Sequence, residues 1–320
     1  LRKALLDFKE SGKFIVAYEE ILGQKGFHLA TVADKIYVNP EGVLELKGYR
    51  TELAFFKNAL DRLKVEPQIF YAGKYKSATE PFRLEEMSDA NREQINFLLT
   101  DVYDRFLNDI SGSREVNKVL LDSIADNLLV KFPEEAEAFQ LIDGLAYYDQ
   151  VQDDLRERVG LGEDEELEFV NFNKYAMQKE SLDKEKLAIK DKVAVLFAQG
   201  GIVDGEGEID EIGSGRYLKA IQEIRKNEDV KALVLRVNSG GGSALASDII
   251  LRELELTNEI MPVIVSMGDV AASGGYYIAC GADTILAEQN TITGSIGVFG
   301  ILPNMKGFFN DKLGITFDYV

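Results

Sequence analysis

The stretch that decides the fold is V-I-V-S-M-G-D-V-A-A-S-G-G-Y-Y-I-A-C-G-A-D-T-I-L-A, residues 263–287. A β-rich apolar run (263–267) gives way to small residues around Ser273, then to an apolar helical stretch, then to a second β-rich run. Strand, tight turn, helix and strand in that order make an α/β unit with mostly parallel strands. Working outward, F-I-V-A-Y (14–18), Q-I-F-Y-A (68–72), V-A-V-L-F-A (193–198) and A-L-V-L-R-V (232–237) read as further buried strands. Amphipathic helices are predicted at 214–227 and 244–256. After Ser88, an N-capping residue type, Ile95, Leu98, Leu99, Val102 and Phe106 recur at helical spacing, and more helix follows to about Phe139. T-F-D-Y-V (316–320) reads as a strand.

The chain also carries a degenerate internal repeat. G-F-H-L-A-T-V-A-D-K-I-Y-V (26–38) lines up with G-Y-Y-I-A-C-G-A-D-T-I-L-A (275–287) at an offset of 249, and the preceding strands 14–18 and 263–267 match at the same offset. D-R-L-K-V (61–65) resembles D-K-L-G-I (311–315) at an offset of 250. Two copies of one unit predict an N-terminal domain over 1–160 with a helical extension and a C-terminal domain over 191–320. The charged, weakly periodic stretch 161–190 reads as a linker. At the position of Ser273 the first copy has Gln24.

Composition narrows the function. Lys and Arg number 36 against 55 Asp and Glu, a net charge of −19. That balance argues against binding a nucleic-acid backbone, which draws on clustered cations. The single cysteine, Cys280, excludes an intrachain disulfide and a Cys-rich metal site, and its apolar surroundings suggest a small core residue. No apolar run reaches the length of a membrane span, and the chain opens directly on L-R-K-A-L-L-D-F-K-E. It reads as a fragment, with an export signal or membrane anchor expected in its missing ends.

Three segments could carry chemistry. In S-M-G-D-V-A-A-S-G-G (266–275), Ser273 stands at a strand-to-helix turn where small residues admit a substrate carbonyl and helix N–H groups face a developing oxyanion. The same residue could equally be a capping serine. R-V-N-S-G-G-G-S (236–243) offers unobstructed backbone N–H groups but lacks the lysine of a phosphate-binding loop. N-T-I-T-G-S-I-G-V-F-G (290–300) suggests a tight loop in which Ser295 or Thr293 could orient a base. The one histidine, His28, falls in the first copy, in a helix, where a base for Ser273 is not expected. Lysine is the alternative once burial makes it neutral, and Lys76 and Lys74 in Y-A-G-K-Y-K-S-A-T-E-P-F are the candidates.

Taken together, G-K-Y-K-S-A-T-E-P-F, R-V-N-S-G-G-G-S, M-G-D-V-A-A-S-G-G-Y-Y and T-G-S-I-G-V-F-G, in this order, resemble the signal peptide peptidase A (protease IV) family of the Clp protease/crotonase superfamily. The resemblance runs along nearly the whole chain and matches the long form, with two tandem domains. It implies an α/β fold of tandem Clp protease/crotonase-like domains with an intervening helical segment. Its expected activity is a serine endopeptidase acting on cleaved signal peptides. Carried over position by position, Ser273 is the nucleophile, Lys76 the base and Ser295 the lysine's partner. The oxyanion hole is built from Gly274 and the 240–242 run, with Gly241 and Gly242 as the candidate donors of that run and the choice between them left open. No metal or cofactor is implied. The resemblance also implies peptide substrates, a homo-oligomer (a tetramer), and the outer face of a bacterial inner membrane, reached through an N-terminal anchor missing from this sequence. Where the family usually has proline, this chain has Gly240. In the short form the lysine follows the serine, and by the repeat that place lies just after Val320. Competing readings are a crotonase-like acyl-CoA enzyme and a non-catalytic scaffold of the same fold.

Overall fold

The computed structural model describes residues 1–162, 165–177 and 190–320; the rest of the expected linker lies outside the described residues. The chain begins α1 (Arg2–Glu10), β1 (Val16–Leu22), α2 (Gln24–Ala30), β2 (Lys35–Leu44), α3 (Lys57–Leu63), β3 (Glu66–Tyr71) and α4 (Glu80–Arg83). It continues with α5 (Asp89–Arg114), α6 (Lys118–Asp126), α7 (Pro133–Ala138), β4 (Gly144–Leu145), α8 (Tyr148–Val159) and α9 (Phe172–Met177). Next come β5 (Lys192–Gln199), β6 (Ile202–Val203), β7 (Ile212–Gly213), α10 (Ser214–Lys226), β8 (Val230–Ser239) and α11 (Ala244–Asn258). The last elements are β9 (Val263–Ala272), α12 (Gly274–Ala279), β10 (Thr284–Leu286), β11 (Ile292–Gly294) and β12 (Phe299–Asn304). Two compact units result, Leu1–Glu52 with Ile95–Gln178 and Leu53–Gln94 with Lys179–Val320. Residues 53–94, which chain order alone groups with the N-terminal half, pack with the second unit because β3 pairs with β12.

The first unit holds a parallel sheet of order β1-β2-β4. Ile36 and Val38 alternate on β2 and cluster with Phe27 of α2, Leu107 and Ile110 of α5, and Leu121 and Ile124 of α6. Burying each such side chain contributes about 1.5–3 kcal/mol. Asp143, just before β4, ties this core together. Its carboxylate accepts the Ile36 N–H at 2.8 Å and Arg114 Nη1 at 2.9 Å, with Lys35 Nζ at 3.5 Å.

The second unit is a parallel sheet of order β10-β9-β8-β5. Leu233, Leu235 and Val237 of β8 and Val263, Val265 and Met267 of β9 cluster with Ile221 of α10 and Ile250 and Leu254 of α11. One edge of β9 is shared by two short parallel strands, β10 along 264–266 and β11 along 270–272. On its other edge β9 bulges, since Val237 faces Met267 but Ser239 faces Ala271. The side chains of Asn238 and Thr291 satisfy the bulge. Asn238 Oδ1 accepts the Val270 N–H at 3.1 Å, and Thr291 Oγ1 donates to the Gly268 carbonyl at 2.8 Å.

The repeat has a structural signature. Asp34 Oδ2 accepts the Ile15 N–H at 2.8 Å while its own N–H donates to the Ile15 carbonyl at 2.8 Å. Asp283 makes the same pair with Val263, at 3.0 Å and 3.0 Å. The aspartates are 249 apart but their partners 248, so the second copy has one residue more. The strand alignment of 14–18 with 263–267 therefore shifts by one, and the extra residue falls in the stretch that contains the bulge. Lys64 (φ 58°) and Gly314 (φ 68°), 250 apart, both take the left-handed conformation.

Several strand expectations change. Residues 193–198 are not a buried strand: β5 lies at the edge of its sheet, and Val193, Val195 and Phe197 are exposed. Residues 14–18, also at a sheet edge, are only half-buried, with Phe14 exposed. Residues 68–72 are not a buried strand of the parallel sheet. β3 forms an antiparallel ribbon with β12, and Phe70 and Tyr71 are exposed because a two-stranded ribbon leaves a face uncovered. Residues 316–320 are irregular.

Burial alone would raise the Asp143 pKa, but the Arg114 and Ile36 hydrogen bonds and the charges of Arg114 and Lys35 outweigh it and hold it below the ordinary value. A depressed folded-state pKa contributes stability that is present above the unfolded value and lost as pH falls through the folded one. We expect the first unit to lose stability as pH drops below about 4. Asp143→Asn should blunt that acid limb and cost about 1.5–3 kcal/mol at neutral pH, read from urea unfolding monitored at both pH values.

Candidate active site

Ser273 occupies the turn between β9 and α12 with φ 53° and ψ −118°. Such backbone in an L-residue stores about 1–3 kcal/mol of strain. Neighbouring bonds hold it there: its N–H donates to the Gly294 carbonyl at 2.8 Å, and its carbonyl accepts the Tyr277 N–H at 2.9 Å. The side chain makes no helix-capping bond, contrary to the capping alternative, which leaves Oγ available. The β9–β11 register, with Gly294 opposite Ala272, brings Ser295 beside Ser273.

Lys76 enters from the other side, carried by the β3–β12 ribbon whose last pair is Tyr71 with Phe299. Its stem runs past Gly297 (φ 130°), where an added Cβ would lie 3.0 Å from the Ala72 carbonyl and 3.6 Å from the lysine's Cγ and Cδ. The residue is only 6% exposed. Its Nζ lies 3.1 Å from Ser273 Oγ, 2.5 Å from the Ser295 carbonyl and 3.1 Å from Ser295 Oγ. None of these partners is a carboxylate, so burial pushes the lysine pKa down with nothing to offset it. The three contacts fit both protonation states. A neutral amine donates twice, to the Ser295 carbonyl and Oγ, and its lone pair accepts the Ser273 hydroxyl proton. The ammonium formed by that transfer donates three times to the same atoms.

The 240–242 glycines lie against this turn. Gly241 (φ 97°) is pressed so close that an added Cβ would come within 2.5 Å of Gly274 N, and its own N–H already donates to Ser239 Oγ at 3.1 Å. Gly242 and Gly274 both line a cavity of about 550 Å³ beside Ser273. Among the described residues neither of their N–H groups has a protein acceptor. The cavity's other walls are mainly apolar, with Tyr276, Tyr277, Ile296, Val298 and Phe299. Cys280 also lines it and is exposed, which corrects the expectation of a core residue. As the C-cap of the six-residue α12, it sits where the helix face turns out of the core.

The remaining candidates lie elsewhere. Lys74 is exposed, with its amine over the Tyr75 ring. Thr293 Oγ1 donates to the Ala271 carbonyl at 2.8 Å rather than to the lysine. His28 belongs to the first unit, with Nε2 2.7 Å from Asp109. Gln24 accepts the Lys47 N–H at 3.2 Å. Asn238 and Thr291, which secure the bulge ahead of the serine, escaped the sequence reading. Nothing in their local pattern separates them from ordinary strand and loop residues.

Residues 7–162 and 255–320 match the model of peptidase family S49, and the chain belongs to that family. The two matched segments start 248 residues apart, the spacing of Ile15 and Val263. Among curated proteins the chain is 35% identical over 325 residues to Protease 4 of Haemophilus influenzae, covering 99% of this chain and 52% of that protein. It is 36% identical over 326 residues to Protease 4 of Salmonella typhi, with 99% and 52% covered. It is 35% identical over 305 residues to the chloroplastic serine protease SPPA of Arabidopsis thaliana, with 93% and 44% covered. The chain thus spans about half the length of the curated relatives it matches.

The backbone at residue 273 separates two otherwise similar substitutions. Both Ser273→Ala and Ser273→Gly remove the hydroxyl, but only glycine relieves the positive φ. Ser273→Gly should therefore be the more stable by about 1 kcal/mol, after its extra unfolded-state entropy is counted, in parallel thermal melts.

Proposed function

We propose that the chain is the catalytic part of a serine endopeptidase in which Ser273 is the nucleophile and Lys76 the general base. The observation that carries this reading is a buried lysine amine, with no acidic partner among the described residues, 3.1 Å from the hydroxyl of a strained serine. Lys76 takes the Ser273 proton as Oγ attacks a peptide carbonyl. The resulting tetrahedral oxyanion is received by the Gly242 and Gly274 N–H groups, since that of Gly241 is already engaged. The ammonium returns its proton to the departing amine, and a water then releases the acyl group from Ser273 by the same steps. Ser295 fixes the amine through its carbonyl and hydroxyl.

The apolar cavity beside Ser273 suits a substrate with an uncharged, apolar residue at the cut, as signal peptides supply. In this reading the whole protein is a homo-oligomer working at the outer face of a bacterial inner membrane. Among the described residues no helix is long and apolar enough to cross a membrane.

A fluorophosphonate probe should label Ser273 and leave Ser273→Ala untouched. Lys76→Ala should fold normally and lose between about a hundredfold and ten-thousandfold in peptide hydrolysis. Because only the neutral amine can act as base, hydrolysis should rise with pH and level off below the ordinary lysine value of about 10.4. Unchanged hydrolysis in Lys76→Ala would remove the lysine from the mechanism. Ser295→Ala, which keeps the backbone carbonyl contact, should cost only about tenfold in kcat.

A further inference from the structure

Lys76 is held by its neighbours in the chain as well as by the serines. It is the central residue of an inverse γ-turn, with φ −80° and ψ 77°, closed by the Ser77 N–H on the Tyr75 carbonyl at 3.0 Å. Both flanking side chains are fastened to consecutive residues of α5. Tyr75 OH donates to Glu93 Oε2 at 3.0 Å, and Gln94 Nε2 donates to Ser77 Oγ at 2.9 Å. Gln94 also donates to Asn91 Oδ1 at 3.0 Å, and Asn91 Nδ2 donates to Glu80 Oε2 at 2.9 Å.

Glu80 is the hub of this network and is 1% exposed. Its carboxylate also accepts Ser88 Oγ at 2.6 Å and the Ser88 N–H at 3.2 Å, with Arg83 Nη2 at 3.5 Å. Ser88 in turn caps α5 through the Asn91 N–H at 3.1 Å. Arg83 reaches back to Thr79 Oγ1 at 3.3 Å and lies over the Tyr71 ring, at the end of the ribbon that delivers Lys76. A buried carboxylate four residues from a neutral base would threaten that base. Here its oxygens are occupied by these donors, and none of them is the Lys76 amine.

We infer that Glu80, acting through Asn91 and Gln94, is the positioning residue that docks the first turns of α5 on the Lys76 turn and so aims the amine at Ser273. This rests on the Ser273–Lys76 reading above. Glu80 touches no reacting atom. Its effect is geometric, and a displacement of the amine by about 1 Å is enough to cost on the order of a hundredfold.

The test measures peptide hydrolysis and the rate of fluorophosphonate labelling at Ser273 in the intact protein. Gln94→Ala and Glu80→Ala should each lower kcat and the labelling rate by about 10- to 100-fold with KM little changed. Glu80→Gln, which keeps one oxygen for Asn91, should recover most of the loss. Should Glu80→Ala not fold, Gln94→Ala and Ser77→Ala, both at the half-buried end of the network, carry the test. Folded Gln94→Ala and Ser77→Ala with parental kcat and labelling rate would overturn the inference. So would a loss confined to KM. A parent protein that takes no label at Ser273, or a Lys76→Ala variant labelled as fast as the parent, overturns the Ser273–Lys76 reading instead.

Discussion

An amine serves as a base near neutral pH only where its surroundings refuse the charge. Burying Lys76 away from every acid among the described residues is the constraint on which the second unit is organised. The chain carries 55 acidic residues, and the nearest one in sequence that is buried, Glu80, is surrounded by donors of its own. The amine is left with two hydroxyls and a carbonyl. That set orients it without stabilising the ammonium as a carboxylate would.

Two strand pairings make the arrangement possible. The parallel β9–β11 contact fixes Ser273 against Ser295, and the antiparallel β3–β12 ribbon fixes Lys76 against Gly297. Both end on the loop 294–298, so that loop receives Ser273 from one side and Lys76 from the other. Its positive φ angles at Gly294, Ser295 and Gly297 follow from having to meet both. The bulge in β9 belongs to the same design. It lies just ahead of the serine, in the stretch where the second copy of the repeat has its extra residue. Gln24, in the copy without that residue, holds a backbone N–H and has no hydroxyl to offer.

Much of this was legible in the sequence, for identifiable reasons. The strands of the parallel sheet announce themselves as apolar runs, as in A-L-V-L-R-V, where Leu233, Leu235 and Val237 are fully buried and the residues between them are half-buried. Ser273, Lys76 and Ser295 stood out through the joint pattern of their segments, each of which alone had an ordinary explanation. The β3–β12 pairing was not legible. Q-I-F-Y-A has the composition of a core strand, and only its partner, with Pro303 opposite Pro67, reveals an exposed ribbon. Nor could the division of labour among the glycines be read. Gly241 and Gly242 are chemically identical in sequence, and only the position of the Ser239 hydroxyl shows whose N–H is taken. Asn238 and Glu80 escaped because a supporting residue is recognised by what it holds, which a linear pattern does not contain.

The separation of Lys76 from its two serines, 197 and 219 residues along the chain, has a consequence for the order of manufacture. On a ribosome adding 5–20 residues per second, the lysine emerges roughly 10 to 40 s before Ser273. During that interval the proposed pair is incomplete. In the proposed reading the enzyme is therefore harmless to its own nascent chain until the last strands of the second unit have closed over Lys76, a delay built into the connectivity itself.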